Sequence, residues 1–211
     1  MHSFLPDGET RAWFVAVLRW IHVILGVAWI GGFYLFHFLV GPALSRLDPE
    51  TRRKTAPGLV SRVLAWNRAA SAATWGTGFL LFLAIYPGQS VMYADPAHER
   101  GLSDRTIWIL AGALFGTVMA LQIWLVIAPA QERILAAVAQ GGTPDIRLKK
   151  RASRAARINV YLSVPLLLTM VSHDMPVLLG KGPLALAGLV LAGWALVWAA
   201  HRAAFRDRGR G

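Results

Sequence analysis

The chain contains no cysteine. That absence excludes structural disulfides, thiolate-held iron–sulfur clusters and a covalently attached c-type haem. It leaves the compartment undefined. Acidic residues are also scarce: 11 Asp and Glu stand against 22 Lys and Arg in 211 residues, a net charge of +11. In a soluble chain such an excess of base suits nucleic acid. Here the basic residues sit in particular loops between apolar segments, which is the positive-inside pattern of a membrane protein, so no nucleic-acid partner is expected. There is no internal repeat either, which counts against a transporter built from repeated halves.

What the chain has is apolar length. It is 55% hydrophobic, with a mean hydropathy of +0.47. Several apolar runs reach about 20 residues, enough to cross a hydrocarbon core of about 30 Å. The expected architecture is an all-α integral membrane bundle, one domain over residues 1–211, with five helices near 12–40, 58–86, 105–130, 156–179 and 183–201. The first run is too long for a signal-peptide core and is expected to be retained. Pro42, Pro57, Pro87 and Pro183 mark helix ends, whereas Pro165 lies inside the fourth span and should kink it.

The loops alternate in charge. Arg46, Arg52, Arg53 and Lys54 follow the first span, Arg133, Arg147, Lys149, Lys150, Arg151, Arg154 and Arg157 follow the third, and Arg202, Arg206, Arg208 and Arg210 end the chain. The other connections carry only Arg11, Arg100, Arg105 and Lys181. The expected orientation is N-terminus outside and C-terminus cytoplasmic, in a bacterial-type inner membrane, with the basic segments against the lipid bilayer surface. Gln140 to Pro144 reads as a turn on the cytoplasmic side. Gly112 and Gly116 form a GxxxG pair, read as packing within the bundle.

Ionisable side chains inside a span are costly and usually functional. The fourth span carries Arg157, Asn159, Tyr161 and His173, and the first carries His22 and His37. The predicted topology sorts the histidines by depth into an outer pair, His22 with His173, and an inner pair, His37 with His201. Imidazoles from two helices at one depth suit the axial positions of a b haem. His22 and His37 are separated by about 22 Å of helical rise and are about 60° off a common face, so one haem at the outer pair, or two stacked haems, both fit that spacing. An interhelical hydrogen bond or a proton-relay or substrate site is the competing reading of the outer pair, and snorkelling that of the inner pair. Asp174 follows His173, either to orient or charge-balance it or to face water at the helix end. Gly31 and Gly32 offer a flat approach for a macrocycle, and Arg62, Asn67 and Arg68 lie in the cytoplasmic half of the second span, where snorkelling to the lipid surface is the expected role and contact with a propionate or other anion the alternative. Arg157, Asn159 and Tyr161 are the candidates for a substrate pocket.

These residues resemble a known family. Trp20, His22 and Ala28-Trp29-Ile30-Gly31, then Leu64, Trp66, Thr74-Trp75 and Gly78-Phe79, then Tyr93 and Asp95-Pro96, are similar to successive regions of the membrane-bound, cytochrome c-linked urate oxidases. The most specific part is Arg157, Asn159, Tyr161-Leu162, Pro165, Met170, Ser172-His173 and Pro176, which resembles that family's Arg/His-Asn-x-Tyr-Leu-x-x-Pro-Val…Met-x-Ser-x-His-x-Pro segment. The resemblance implies a membrane oxidoreductase that converts urate to 5-hydroxyisourate and hands electrons to cytochrome c rather than to oxygen. Long members end in a cytochrome c domain with a CxxCH site. This chain has no Cys and runs from Phe36-His37 into a short basic loop, so it is expected to lack its own acceptor domain and the family's longer insertion after helix 1. The expected function is then a b-haem redox protein that passes electrons between a substrate or partner dehydrogenase and cytochrome c or quinone. The alternatives are a urate-oxidising enzyme proper and a non-catalytic membrane anchor or assembly subunit.

Overall fold

The computed structural model of the chain describes residues 8–85, 104–172 and 182–205, and the side chains of all of these except 104, 105, 182–186 and 205. These residues form five long helices, with no strand among them. Helix α1 is Gly8–Tyr34 continued through a π-helical turn, Leu35–Val40, to Gly41–Arg46. Helix α2 is Pro49–Ile85. Helix α3 is Asp104–Gln122, a second π turn at Ile123–Ile127, and Ala128–Ala139. Helices α4 and α5 are Ile146–Ser172 and Gly182–Phe205. All five contain segments long and apolar enough to cross a membrane, making a multi-pass membrane protein. Val27 (68% exposed) and Leu196 (73%) show how much apolar surface faces outward, as a lipid-embedded bundle requires.

Contacts fix the register. Arg11 donates to the Ala84 carbonyl, His22 meets Thr77, and Trp66 Nε1 donates to the Ala28 carbonyl at 3.1 Å. As α1 advances α2 recedes, so the two form an antiparallel hairpin. The pairs Trp75–Thr117 and Arg68–Glu132 make α2 and α3 antiparallel, and Gly112–Thr169 and Met119–Asn159 do the same for α3 and α4. Trp194 with the Tyr161 carbonyl and Gly193 against Val164 set α5 antiparallel to α4. One end of the bundle therefore gathers the α1–α2 turn, the α3–α4 turn and the end of α5, and with them nearly all the basic residues.

The helices overrun the expected spans at that basic end. The first span was expected near 12–40 and runs to Arg46; the second begins at Pro49, so Pro57 lies inside a helix and does not mark its start. The fourth begins at Ile146, while its expected stretch beyond Ser172 lies outside the described residues. The reason is local capping. Asp48 Oδ1 accepts from the backbone N–H of Glu50 and Thr51, and Asp145 Oδ1 from that of Arg147, so each helix start is satisfied before the apolar stretch begins. Asp48 is exposed, and the Thr51 N–H, with the Thr51 hydroxyl next, holds its carboxyl below the ordinary aspartate value. Gly141, at φ +73°, closes α3, with the Gly142 N–H returning to the Ala137 carbonyl, as the turn expected there requires.

Prolines shape the interior. Pro165 has no N–H for the Tyr161 carbonyl four residues earlier. The indole of Trp194 donates to that carbonyl at 2.9 Å, and the chain meets it closely because Gly193 sits where a Cβ would lie 2.3 Å from Val164 Cγ1. Pro42 and Pro129 each follow a π turn within two residues. Each lacks a donor and crowds the carbonyl one turn back, and widening the preceding turn by one residue relieves that crowding. In the first turn the Gly41 N–H reaches the Phe36 carbonyl, and a Cβ on Gly41 would lie 3.1 Å from that oxygen.

Candidate functional site

Helix α1 carries two histidines into different surroundings. His22 lies against α2. A Cβ on Gly78 would fall 2.9 Å from His22 Cε1, so glycine there lets the imidazole rest on the helix backbone. Its Nδ1 is 3.0 Å from Thr77 Oγ1. The Thr77 hydroxyl lies 2.8 Å from the Ala73 carbonyl and 3.0 Å from that of Thr74, and its single hydrogen is used there. With the Thr77 hydroxyl donating to one of these carbonyls, its oxygen is available to accept from a His22 protonated at Nδ1, the tautomer that leaves the lone pair on Nε2. That is the tautomer of a metal-ligating histidine held by a partner at its second nitrogen. His173 and Asp174, expected opposite, lie outside the described residues, as do Tyr93, Asp95, Pro96, Pro176, His2 and His98.

His37 sits in the π turn of α1 and faces α5. Its ring centre is 5.4 Å from that of His201, with the planes tilted by 60°. The expected inner pair is thus together. It does not fit a haem clamped between the rings as they stand. Two metal–nitrogen bonds of about 2 Å in line place the ring centres more than about 6 Å apart, on opposite sides of a macrocycle. The space near Gly32 does not hold a macrocycle either, because Trp66 Nε1 approaches to 3.0 Å of a Cβ built there. The inner pair belongs to a cavity.

That cavity has a volume of about 430 Å³ and takes residues from all five helices. Its apolar wall includes Phe33, Phe36, Val63, Leu64, Ile123 and Ile127, so both π turns line it. Its polar wall is His37, His201, Asn67, Gln131, Ser153 and Arg157, with no carboxylate. Asn67 is buried, and its Oδ1 has no hydrogen-bond partner among the described residues.

Of the three expected pocket residues, Arg157 alone lines the cavity. Asn159 is fully buried between α3 and α4, where its Nδ2 donates to the Met119 carbonyl at 3.1 Å. Met119 stands four residues before Ile123, where the hydrogen-bond ladder widens, so Asn159 supports the π turn. Tyr161 packs edge-on against Trp194. Arg68, a candidate anion partner, instead pairs with Glu132 and lies over the Trp124 ring at 5.6 Å. Gln131, inside α3, and His201, near the end of α5, complete the cavity. The π turns that bring Phe36, His37, Ile123 and Ile127 to one cavity have a sequence signal, the paired Gly41-Pro42 and Ala128-Pro129.

A family model described as urate oxidase N-terminal matches residues 89–211, which spans α3 to α5 and includes Arg157 and His201. No curated protein and no solved structure matches the chain.

Proposed function

From the premise that the chain belongs to the urate oxidase N-terminal family, we propose that it is a membrane-embedded redox protein that holds a b haem on His22 and carries electrons between a small-molecule substrate or partner dehydrogenase and cytochrome c or quinone. The observation that supports this reading is the seat of His22, whose Nδ1 lies 3.0 Å from Thr77 Oγ1 while Gly78 lets the ring rest on α2; protonated at Nδ1, the ring would present Nε2 to a metal. When bound, the haem supplies one-electron chemistry. Thr77 fixes the ring's rotation and raises its basicity, and Gly78 keeps it against α2. His173 is the proposed second ligand. Positive-inside bias orients the basic end to the cytoplasm of a bacterial-type inner membrane. Haem quantified per chain in the purified protein tests this. One haem per chain that donates electrons to added cytochrome c after reduction is the expected result, and protein that takes up no haem on reconstitution overturns it.

A second reading, a urate-oxidising enzyme proper, is favoured by the Arg157-containing cavity, whose polar wall offers donors and no carboxylate. It predicts urate-dependent reduction of cytochrome c that is lost in Arg157→Gln. The third, a non-catalytic anchor or assembly subunit, predicts neither haem nor turnover and has no geometric feature in its favour.

A further inference from the structure

The cavity opens on α4. Ser153 and Arg157 line it and are nevertheless exposed, and they stand one turn apart on one face of that helix. His201 joins them from α5. The bond from Trp194 to the Tyr161 carbonyl sets the depth. One turn nearer the basic end on each of these antiparallel helices come Arg157 and Trp198, so the two share a level. Helical side chains lean toward the N-terminus of their own helix. For α4 that is the basic end and for α5 the bundle interior, so Arg157 leans outward and His201, about one turn beyond Trp198, leans inward to meet it. The same level has the marks of a membrane interface. Trp198 is half exposed, and the Arg202 guanidinium lies over its ring at 4.1 Å. Leu35 and Leu39 on the π turn of α1, and Ile158 beside Arg157, are exposed apolar residues suited to lipid. Deeper in, Phe33 and Leu64 make the wall apolar. No carboxylate is among the described residues of the lining.

We propose that this opening holds the phosphate of an anionic phospholipid from the leaflet at the basic end. Arg157 is the charged donor, Ser153 and His201 donate to the remaining phosphate oxygens, and the start of an acyl chain rests on the apolar wall. A guanidinium suits two phosphate oxygens at once, and basic pockets between membrane helices are a recurring form of headgroup site. A volume of about 430 Å³ admits the headgroup and the upper part of a chain, so the rest of the lipid stays in the bilayer beside Leu35 and Leu39. The site needs neither haem nor turnover, and it stands whether or not the redox reading holds.

Lipid and free phosphate share this chemistry, and the test separates them. The full-length protein in detergent is titrated with phosphatidylglycerol and with phosphatidylcholine of the same chains, and lipid bound per chain is read by native mass spectrometry, with inorganic phosphate as competitor. Wild type is expected to bind phosphatidylglycerol about 10- to 100-fold tighter than phosphatidylcholine, and inorganic phosphate at the lipid's concentration is expected not to displace it. Arg157→Gln should abolish the preference. Arg53→Gln, which removes an exposed base outside the cavity, should leave it unchanged. If Arg157→Gln does not fold, Arg157→Lys reads the site: lysine keeps the charge and loses the two-pronged contact, so phosphatidylglycerol alone should weaken. No preference in wild type, a preference that survives Arg157→Gln, or equal losses in Arg157→Gln and Arg53→Gln overturns the proposal. So does equal weakening of both lipids in Arg157→Lys. Displacement by inorganic phosphate also overturns it and assigns the opening to a soluble anion.

Discussion

Trp194→Phe tests the junction of α4 and α5. The variant keeps an aromatic ring against Tyr161, whose centre is 6.5 Å from the indole, and removes only the N–H that reaches the Tyr161 carbonyl at 2.9 Å. That carbonyl has no helix donor because residue 165 is proline. Within a bilayer no water replaces the indole. Interhelical hydrogen bonds in membranes contribute about 0.6–2 kcal/mol, and an unmade carbonyl costs about 1–3 kcal/mol. The expected loss is about 1–2 kcal/mol, a 5- to 30-fold shift in the folding ratio. The control is Pro165→Ala, which returns an N–H to the same carbonyl. In that background Trp194→Phe should cost little, giving a coupling of about 1–2 kcal/mol in a double-mutant cycle. Reversible unfolding in mixed micelles, followed by circular dichroism, reads all four variants. If Trp194→Phe costs the same with and without Pro165, the indole does not serve the carbonyl that proline frees, and the reasoning is refuted.

Other outcomes follow from the same geometry. Thr77→Val removes the acceptor on His22 Nδ1 and should weaken haem affinity about 10- to 100-fold, read by haem titration; unchanged affinity would count against the tautomer assigned to His22. Gly112→Val should destabilise by about 1–3 kcal/mol, because a Cβ there lies 2.6 Å from Thr169 Oγ1, whereas Gly116→Ala, 3.7 Å from Leu166 Cδ1, should be tolerated. Equal thermal stability of the two variants would show that α3 and α4 do not approach at Gly112. The Asp48 cap should be intact above the ordinary aspartate value and be lost as pH falls through its lower folded value, since only the carboxylate accepts well from the Glu50 and Thr51 N–H groups. Protection of those two amides from hydrogen exchange should therefore drop below about pH 4, and in Asp48→Asn it should not change with pH. A wild-type protection factor that stays constant to pH 2 would remove the cap from the account.

The five spans were legible because apolar length and loop charge are one-dimensional signals. Their ends were less so. Asp48 and Asp145 extend helices past the apolar stretch by bonding to the next turn, and a hydropathy reading ends the helix where the polarity starts. Pro42 was read as a terminator, yet the helix absorbs it in a π turn at the cost of one extra residue per turn. That rotation carries His37 to His201, a pairing that depth alone could suggest but not orient. Arg157 was found because a charge inside a span draws attention. Gln131 and Ser153 are ordinary polar residues near a boundary, and the tether of the Asn67 amide to the Val63 carbonyl is visible only in the fold. Asn159 was rightly marked as unusual, but its burial serves the Met119 carbonyl and the π turn, not the cavity.

The central claim is that His22 binds haem iron. The most direct measurement is the dithionite-reduced minus oxidised absorption spectrum of the detergent-purified protein, wild type beside His22→Ala and His37→Ala. The account predicts a sharp six-coordinate b-haem band in wild type, lost in His22→Ala and kept in His37→Ala. A band that survives in His22→Ala, or a wild-type protein that stays colourless after reconstitution with haem, would contradict it.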